Sequence, residues 1–367
     1  MTAPAATVNA LTDRRLMIRN TVINLLGQGS PGLVALLTVP LLVRGLGTDR
    51  FGALALIWVT INYFNLLDLG LGRALVKLVA DRLGGKERHE IAGLAGTALL
   101  LMAGLGVVGA IVLGVGAPWL VARVLHVPAG LAREMERSFL LIGLSLPLVL
   151  TASGLRGMLE AYQRFDLVNA VRIPLTLFTF VGPVLVLPFS RSLVAVAVIL
   201  VAARVIAWAA QLALCLRYIP DLSRGFSVRL SGARPLLRFA GWLGVSNVIG
   251  PLLLYIDRFF LAAMVSVAAV AYYTTPFEVV TQLWFVPRAV VEVLFPALGV
   301  LLVAEPGRAG RLYGRAMLAT VAILLPICLL ILLFARPGLA VWLGPDFAAN
   351  STLVAQILAI GLLVNSI

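Results

Sequence analysis

Long apolar runs, separated by short polar segments, constrain this chain more than any other feature of its sequence. A helix needs about 20 apolar residues to cross the hydrocarbon core of a bilayer. The chain is 61% hydrophobic and only 12% charged, whereas a soluble domain has about 25% charged residues. The sequence therefore predicts an all-α integral membrane protein and excludes a soluble globular enzyme and a disordered chain. Ten runs reach or approach the required length: residues 19–43, 51–76, 91–122, 138–161, 166–188, 192–216, 239–264, 271–303, 312–335 and 351–367.

The positive charge of the chain predicts its orientation in the membrane. The net charge is +13, which in a soluble protein would suggest nucleic acid as a partner. Here the loops on the side of the N-terminus hold 16 Lys and Arg residues and the opposite loops hold 7. Because basic loops stay in the cytoplasm, we expect a cytoplasmic N-terminus and no nucleic-acid partner. The excess of Arg over Lys is typical of a bacterial genome rich in G and C, so we expect the bacterial inner membrane.

An internal repeat divides the chain at an offset of about 220 residues. Pro31 corresponds to Pro251, and Phe51-Gly52 corresponds to Ala271-Tyr272. Because an even number of spans separates the equivalent positions, the repeat is parallel, and we expect a parent architecture of six plus six helices. At that length two helices of the second repeat are missing, so we expect a truncated chain. The predicted parts are a cytoplasmic tail (1–18), an N-lobe of six helices (19–217), a cytoplasmic inter-lobe loop (218–238) and a partial C-lobe of about four helices (239–367).

Motifs of enzymes and cofactor sites do not find their required context in this sequence. Residues 104–109 match the GxGxxG pattern, but they lie within an apolar run and do not follow a strand, so close helix packing is the better interpretation. Neither a nucleophile with a general base nor a metal-ligand spacing is visible. The sequence predicts a protein that is not an enzyme and has no cofactor.

Charged residues inside the apolar runs are the candidate functional residues, because each costs about 2.5–3.5 kcal/mol to insert. Arg204 and Arg288 lie too deep to reach water outside the bilayer, so we expect each to face a cavity or a buried acid. Arg156 and Glu160 lie near an interface, where long side chains extend toward the headgroups. The arginines within runs are Arg73, Arg156, Arg172, Arg204, Arg258 and Arg288.

Several short motifs, in a fixed order, resemble one family of membrane proteins. They are Arg19-Asn20, Leu46-Gly47, Phe51-Gly52, Asp68-Leu69-Gly70-Leu71-Gly72, and Asp257-Arg258 followed by Val270-Ala271-Tyr272-Tyr273. Together they resemble the bacterial polysaccharide-unit (O-antigen) flippases of the multidrug/oligosaccharidyl-lipid/polysaccharide exporter superfamily. The resemblance implies two six-helix lobes around a V-shaped central cavity. It also implies that undecaprenyl-diphosphate-linked oligosaccharides of O-antigen, capsule or exopolysaccharide are flipped to the periplasmic leaflet by alternating access.

The resemblance also implies partners and a site. The partners would be the lipid-linked oligosaccharide, membrane lipids, a proton or sodium ion, and the polysaccharide polymerase machinery. We expect Arg288 to be the main diphosphate contact, because it lies about halfway along its span, and the 220-residue offset places Asp68 at the equivalent point of the other lobe. The candidate substrate-binding residues are Arg288, Arg204, Arg258, Asp68, Asn65 and Asp257, and the candidate ion-coupling residues are Asp68, Glu278 and Glu292.

Two other classes of function stay open at this point. A cation-coupled multidrug exporter of the same superfamily would need an acidic cavity for cationic drugs, and the excess of arginine argues against it. A polysaccharide polymerase or ligase would need a long periplasmic loop with catalytic residues. The longest candidates, 123–137 and 336–350, are short and carry no catalytic grouping.

Overall fold

The described part of the chain is helical and contains no β-strand. The computed structural model describes residues 32, 34–66, 69–84, 88–222, 227–228, 236–237, 253, 255–288, 290–291, 294, 298 and 306–366. Its helices are α1 (Val34–Leu46), α2 (Thr48–Leu66), α3 (Leu71–Gly84), α4 (Ile91–Trp119), α5 (Ala129–Ala161), α6 (Phe165–Val186), α7 (Leu193–Tyr218), α8 (255–264), α9 (Val267–Thr281), α10 (Pro306–Leu343) and α11 (Pro345–Asn365). We call residues 34–222 the first half and residues 255–366 the second half.

Six of the described helices, α4 to α7, α10 and α11, are long and apolar enough to cross a membrane. The outer surface of α4 illustrates why they suit lipid, because Val108, Val112 and Val115 are all more than half exposed. An apolar surface of this size is unusual in a soluble monomer. The prediction of an all-α membrane fold is confirmed. The GxGxxG segment packs closely as expected, since a β-carbon at Gly106 on α4 would overlap the backbone of Pro147 on α5.

The apolar run 51–76 is not one span, and this corrects the sequence analysis. Helix α2 ends at Leu66, and α3 starts at Leu71. Leu69 and Gly70 between them have positive φ angles of 51° and 78°, a conformation that ends a right-handed helix. Helix α3 is amphipathic, with Leu75 and Val79 buried and Lys77 exposed. The average hydropathy of the run hides this break, although the sequence there contains Asp68 and two glycines, Gly70 and Gly72.

The two halves pack against each other at one end of the helices, which we call the closed end. It contains the turns at Gly47, 125–128, 187–192 and 265–266. A single hydrophobic cluster there combines Phe51 and Leu54 of α2 with Val267 and Val270 of α9. The backbone N–H of His126 in the first half donates a hydrogen bond to the carbonyl of Ala262 in the second half at 2.8 Å.

The contact between α2 and α9 depends on a glycine. Gly52 lies against the first turn of α9, and a β-carbon at residue 52 would overlap the carbonyl oxygen of Val267. Helix α9 starts there because Ser266 caps it, its hydroxyl accepting a hydrogen bond from the N–H of Ala269 at 3.1 Å. The missing side chain at residue 52 therefore sets how closely the halves approach.

At the opposite end, which we call the open end, the apolar cores of the described residues are separate. It contains the turns at 67–70, 162–164 and 219–222. One cluster there is made of first-half side chains from α3, α4, α5 and α7, together with Leu236. Another consists of second-half side chains from α9, α10 and α11. Because the described halves share a core at only one end, a cavity opens between them toward the other.

The segment that follows α7 is held on the first half. The hydroxyl of Tyr162 donates a hydrogen bond to the carboxylate of Asp221. Burial and this bond raise the pKa of Tyr162, so the phenol stays protonated. The N–H of Ser227 donates to the carbonyl of Ala92 at 3.3 Å, and a β-carbon at Gly96 would overlap the Ser227 carbonyl oxygen. The start of the connection between the halves therefore belongs structurally to the first half.

We predict that Gly52→Ala opens the closed end. Alanine is the better helix former, so intrinsic propensity opposes any loss of structure, and the overlap with Val267 costs about 1–3 kcal/mol while the halves stay packed. Spin labels at Gly130 and Met264, on a cysteine-free background, should report a longer or broader distance distribution. Gly116→Ala is the matched control, because no atom lies within 4 Å of its added β-carbon. An unchanged distribution in Gly52→Ala would contradict the prediction.

Candidate functional site

A cavity of about 1740 Å³ lies between the two halves. The first half contributes side chains of α1, α2, α5, α6 and α7, and the second half contributes side chains of α8, α9, the segment that follows α9, and the ends of α10 and α11. The lining combines apolar surface with polar groups such as Asn62, Thr274 and Gln282. A cavity of this kind, formed between two helical bundles, is a usual place for a transported ligand.

The charges of the described cavity lining are strongly unbalanced. The lining contains five arginines and a single carboxylate, Glu278; the arginines are Arg156, Arg172, Arg204, Arg258 and Arg288. They come from four described helices and from residues 285–288, so they surround the cavity from both halves. Arginine presents five N–H donors in a planar fork that fits phosphate and carboxylate oxygens. The described lining therefore carries an excess of positive charge, even when Glu160 and Asp257 are counted against Arg156 and Arg258.

Arg204 is the most informative of these arginines. It lies near the middle of α7, and only 9% of its surface is exposed. Its Nη1 donates to the carbonyl of Leu200 on the same helix at 2.8 Å. Among the described residues, no carboxylate lies within 4 Å of it. A buried cation without a carboxylate partner is costly, and this one lies in the wall of the cavity.

Arg258 has a different environment, because its charge is neutralised locally. Its side chain is fully buried, and Nη1 lies 2.8 Å from the carboxylate of Asp257. Its Nη2 lies 3.9 Å from Glu278. The guanidinium carbon is 4.4 Å from the ring centre of Phe277, with Tyr255 and Tyr273 also within 6 Å. The hydroxyl of Tyr273 donates to Asp257, so this cluster joins α8 to α9.

The structure brings several of the candidate site residues together. Arg204, Arg258, Arg288 and Glu278 all line the cavity. Asp257 lies behind the lining, where it bonds to Arg258. Asn65 lies in the last turn of α2, but its side chain is outside the described part of the chain, as are Asp68 and Glu292.

Two arginines and a set of aromatic residues belong to the lining but were not among the candidates. Arg156, interpreted from sequence as an interfacial residue paired with Glu160, does lie 3.7 Å from that carboxylate, yet it also lines the cavity. Arg172 donates to Asn169 at 2.9 Å. The aromatic side chains include Trp58, Trp208 and Phe180. A sequence signal existed for one of them, since Arg204, Trp208 and Gln211 follow the spacing of a single helix face.

These features define a helical membrane transporter with a cationic central cavity. The family of polysaccharide biosynthesis proteins matches residues 17–301. The chain belongs to this family and is a multi-pass membrane protein. The prediction of a transporter and not an enzyme is confirmed by the family and by the structural neighbours described next.

Relatives of known description agree with the family. The chain is 26% identical over 360 residues to a protein of Shigella flexneri described as a putative O-antigen transporter, covering 96% of this chain and 82% of the relative. A multidrug resistance MATE family transporter of the MOP superfamily, in an inward-facing conformation, has the same fold with a TM-score of 0.70 and 16% identity, covering 91% of this chain and 78% of that one. An outward-facing structure of such a transporter has a TM-score of 0.51 and 17% identity, covering 93% of this chain and 79% of that one.

We predict that the Arg258 cluster stabilises the second half. Arg258→Met keeps most of the side-chain volume but removes the cation between Asp257 and Glu278. Breaking a buried pair costs about 3–5 kcal/mol, and we expect the lower end because Asp257 and Glu278 are 35% and 61% exposed. The thermal unfolding temperature of the purified protein should fall.

The control for this measurement is Arg172→Met, whose side chain is exposed to the cavity and bonds only to Asn169 among the described groups. It should leave the unfolding temperature nearly unchanged. Equal unfolding temperatures for Arg258→Met and the unsubstituted protein would show that the cluster does not hold α8 and α9 together.

Proposed function

We propose that this protein flips undecaprenyl-diphosphate-linked oligosaccharide units of O-antigen, capsule or exopolysaccharide from the cytoplasmic to the periplasmic leaflet. The family and the Shigella relative support a polysaccharide cargo. The observation that carries the proposal is the cationic excess of the described lining, whose five arginines outnumber Glu278 together with Asp257 and Glu160, the two carboxylates that pair with lining arginines. A lipid diphosphate is an anion attached to polar sugars, and it cannot cross hydrocarbon without groups that replace its hydration.

The arginines supply that replacement. One guanidinium about 4 Å from a phosphate charge contributes roughly 4 kcal/mol at an effective dielectric near 20, and its fork bonds two phosphate oxygens at once. Arg288 is the proposed main contact, and Arg204, buried in the facing half, supports it. Arg258 and Asp257 are proposed to contribute as a neutral pair that shapes the wall of the site. Asn65, in the last turn of α2, is a further proposed substrate contact, and Asp68 is proposed to pair with Arg288 in one state and to release it when the substrate binds.

The proposed orientation places the N-terminus in the cytoplasm and the protein in the inner membrane. The open end then faces the cytoplasm, where lipid-linked units are made, and the closed end faces the periplasm. The TM-score is 0.70 with the inward-facing transporter and 0.51 with the outward-facing one, and this difference supports the assignment. Alternating access would separate the closed end and bring the open end together.

Coupling to an ion gradient is part of the proposal. Glu278 is the candidate carrier of a proton or sodium ion, because it lines the cavity and lies 3.9 Å from Arg258. Asp68 and Glu292 remain candidates from the sequence. The polysaccharide polymerase machinery is the proposed downstream partner. A multidrug exporter would need a cavity that attracts cations, which the described arginines oppose.

We predict that Arg288→Ala and Arg204→Ala each abolish complementation of a flippase-null strain, at normal protein levels. Loss of a charged hydrogen bond costs about 1.5–3 kcal/mol, which corresponds to a roughly 10- to 150-fold weaker interaction with the diphosphate. Arg288→Lys keeps the charge but loses the fork, so it should weaken transport only partly. Surface polysaccharide and accumulated lipid-linked units are measured together.

Arg73→Ala is the matched control, since Arg73 is exposed on α3 and is not part of the described cavity lining. It should complement fully. Transport at the unsubstituted rate by Arg288→Ala would remove Arg288 from the site. Full activity of both alanine variants, combined with efflux of cationic dyes by the unsubstituted protein, would favour the drug exporter.

A further inference from the structure

One face of α7 presents an ordered row of side chains to the cavity. Arg204, Trp208 and Gln211 lie at positions i, i+4 and i+7, so they share a face, and all three line the cavity. At 1.5 Å per residue, Trp208 lies about 6 Å and Gln211 about 10 Å from Arg204 along the helix axis. The row offers a cation, then an aromatic ring, then an amide.

The indole of Trp208 is held in a fixed orientation. Its Nε1 donates to the hydroxyl of Thr151 on α5 at 3.0 Å. That hydroxyl in turn donates to the carbonyl of Pro147 at 2.7 Å. Since the N–H is engaged by α5, the ring is positioned in the wall without a partner having to be present. A preoriented aromatic surface loses little conformational entropy when a ligand packs on it.

Gln211 carries an unsatisfied acceptor. The residue is only 6% exposed, and its Oε1 accepts no hydrogen bond from any of the residues that the structure describes. Buried polar atoms are nearly always hydrogen-bonded, so such an atom in a cavity wall calls for a donor from elsewhere. Trp58, elsewhere in the same lining, has a buried Nε1–H without an acceptor among the described residues.

We propose that this face of α7 is a saccharide subsite, which rests on the proposed function. A sugar ring has an apolar C–H face that packs on an aromatic ring, and its hydroxyls both donate and accept hydrogen bonds. One hydroxyl or acetamido N–H of the sugar donates to Gln211 Oε1 while the ring packs on Trp208. In a lipid-linked unit the first sugar is bonded directly to the diphosphate. The neighbouring positions of Arg204 and Trp208 reproduce that order.

The inference separates recognition of the sugar from recognition of the phosphate. Arg204 contacts the diphosphate, whichever glycan is attached. Trp208 and Gln211 contact only the first sugar. A ligand with the diphosphate but no sugar therefore satisfies Arg204 and leaves Trp208 and Gln211 without contacts.

The test uses two probes that differ only in the sugar: undecaprenyl diphosphate and undecaprenyl diphosphate carrying one N-acetylglucosamine. Both are titrated against the full chain in lipid nanodiscs. We expect Trp208→Ala and Gln211→Met each to weaken binding of the glycolipid by about tenfold and to leave binding of undecaprenyl diphosphate unchanged. Arg204→Ala should weaken both probes. Trp208→Phe, which keeps a ring, should restore most of the glycolipid affinity.

Trp119→Ala is the matched control, because Trp119 is 61% exposed at the end of α4 and lies outside the described lining. It should bind both probes normally. If Trp208→Ala does not fold, Gln211→Met and Trp208→Phe carry the test, with unfolding temperature as the check. Equal losses for the two probes, or none, would overturn the saccharide subsite and leave the proposed function standing. Failure of the unsubstituted protein to bind either probe would instead overturn the proposed function.

Discussion

The close packing of α2 against α9 is the contact on which the rest of this structure depends. Gly52 lies against the Val267 carbonyl at the start of both helices, and the only described hydrophobic cluster that includes both halves surrounds this point. Because the halves meet here and have separate apolar cores at the opposite end, the cavity forms between them. The separation of the cavity walls therefore depends on how closely α2 and α9 approach.

Two buried arginines in the walls show two ways of keeping a cation inside a membrane protein. Arg258 is neutralised by Asp257 and enclosed by aromatic rings. The free-energy cost of burying its charge therefore depends little on a ligand. Arg204 donates a hydrogen bond to a backbone carbonyl, and no described carboxylate lies within 4 Å of it. Removing water from such a charge is costly, and the anionic ligand that we propose would relieve that cost. Arg258 is therefore neutralised within the protein itself, whereas Arg204 is proposed to be neutralised by the ligand.

The sequence predicted the helices well and the faces of the helices poorly. Run 192–216 became α7 (Leu193–Tyr218), because uninterrupted hydropathy determines a span. Run 51–76 was wrongly predicted as one span, because Leu69 and Gly70 adopt positive φ angles between α2 and α3, and average hydropathy does not report a backbone conformation. Charges within spans indicated cavity residues such as Arg204. They could not show that Arg156 also reaches the cavity, because that depends on the rotation of α5 against its neighbours.

The charge of the cavity also bears on how a transport cycle of the proposed kind would be controlled. The arginines come from both halves, with Arg204 in the first and Arg288 in the second. Closing the open end would bring these charges closer, and two like charges about 4 Å apart repel by roughly 4 kcal/mol at an effective dielectric near 20. An anion between them reverses the sign of that contribution. A ligand shifts a conformational equilibrium only through its differential affinity for the two states. A diphosphate contacted from both halves would have such a difference, because its bonds to the second half form fully only as the walls approach. An empty cavity would therefore resist closure, whereas a loaded one would favour it.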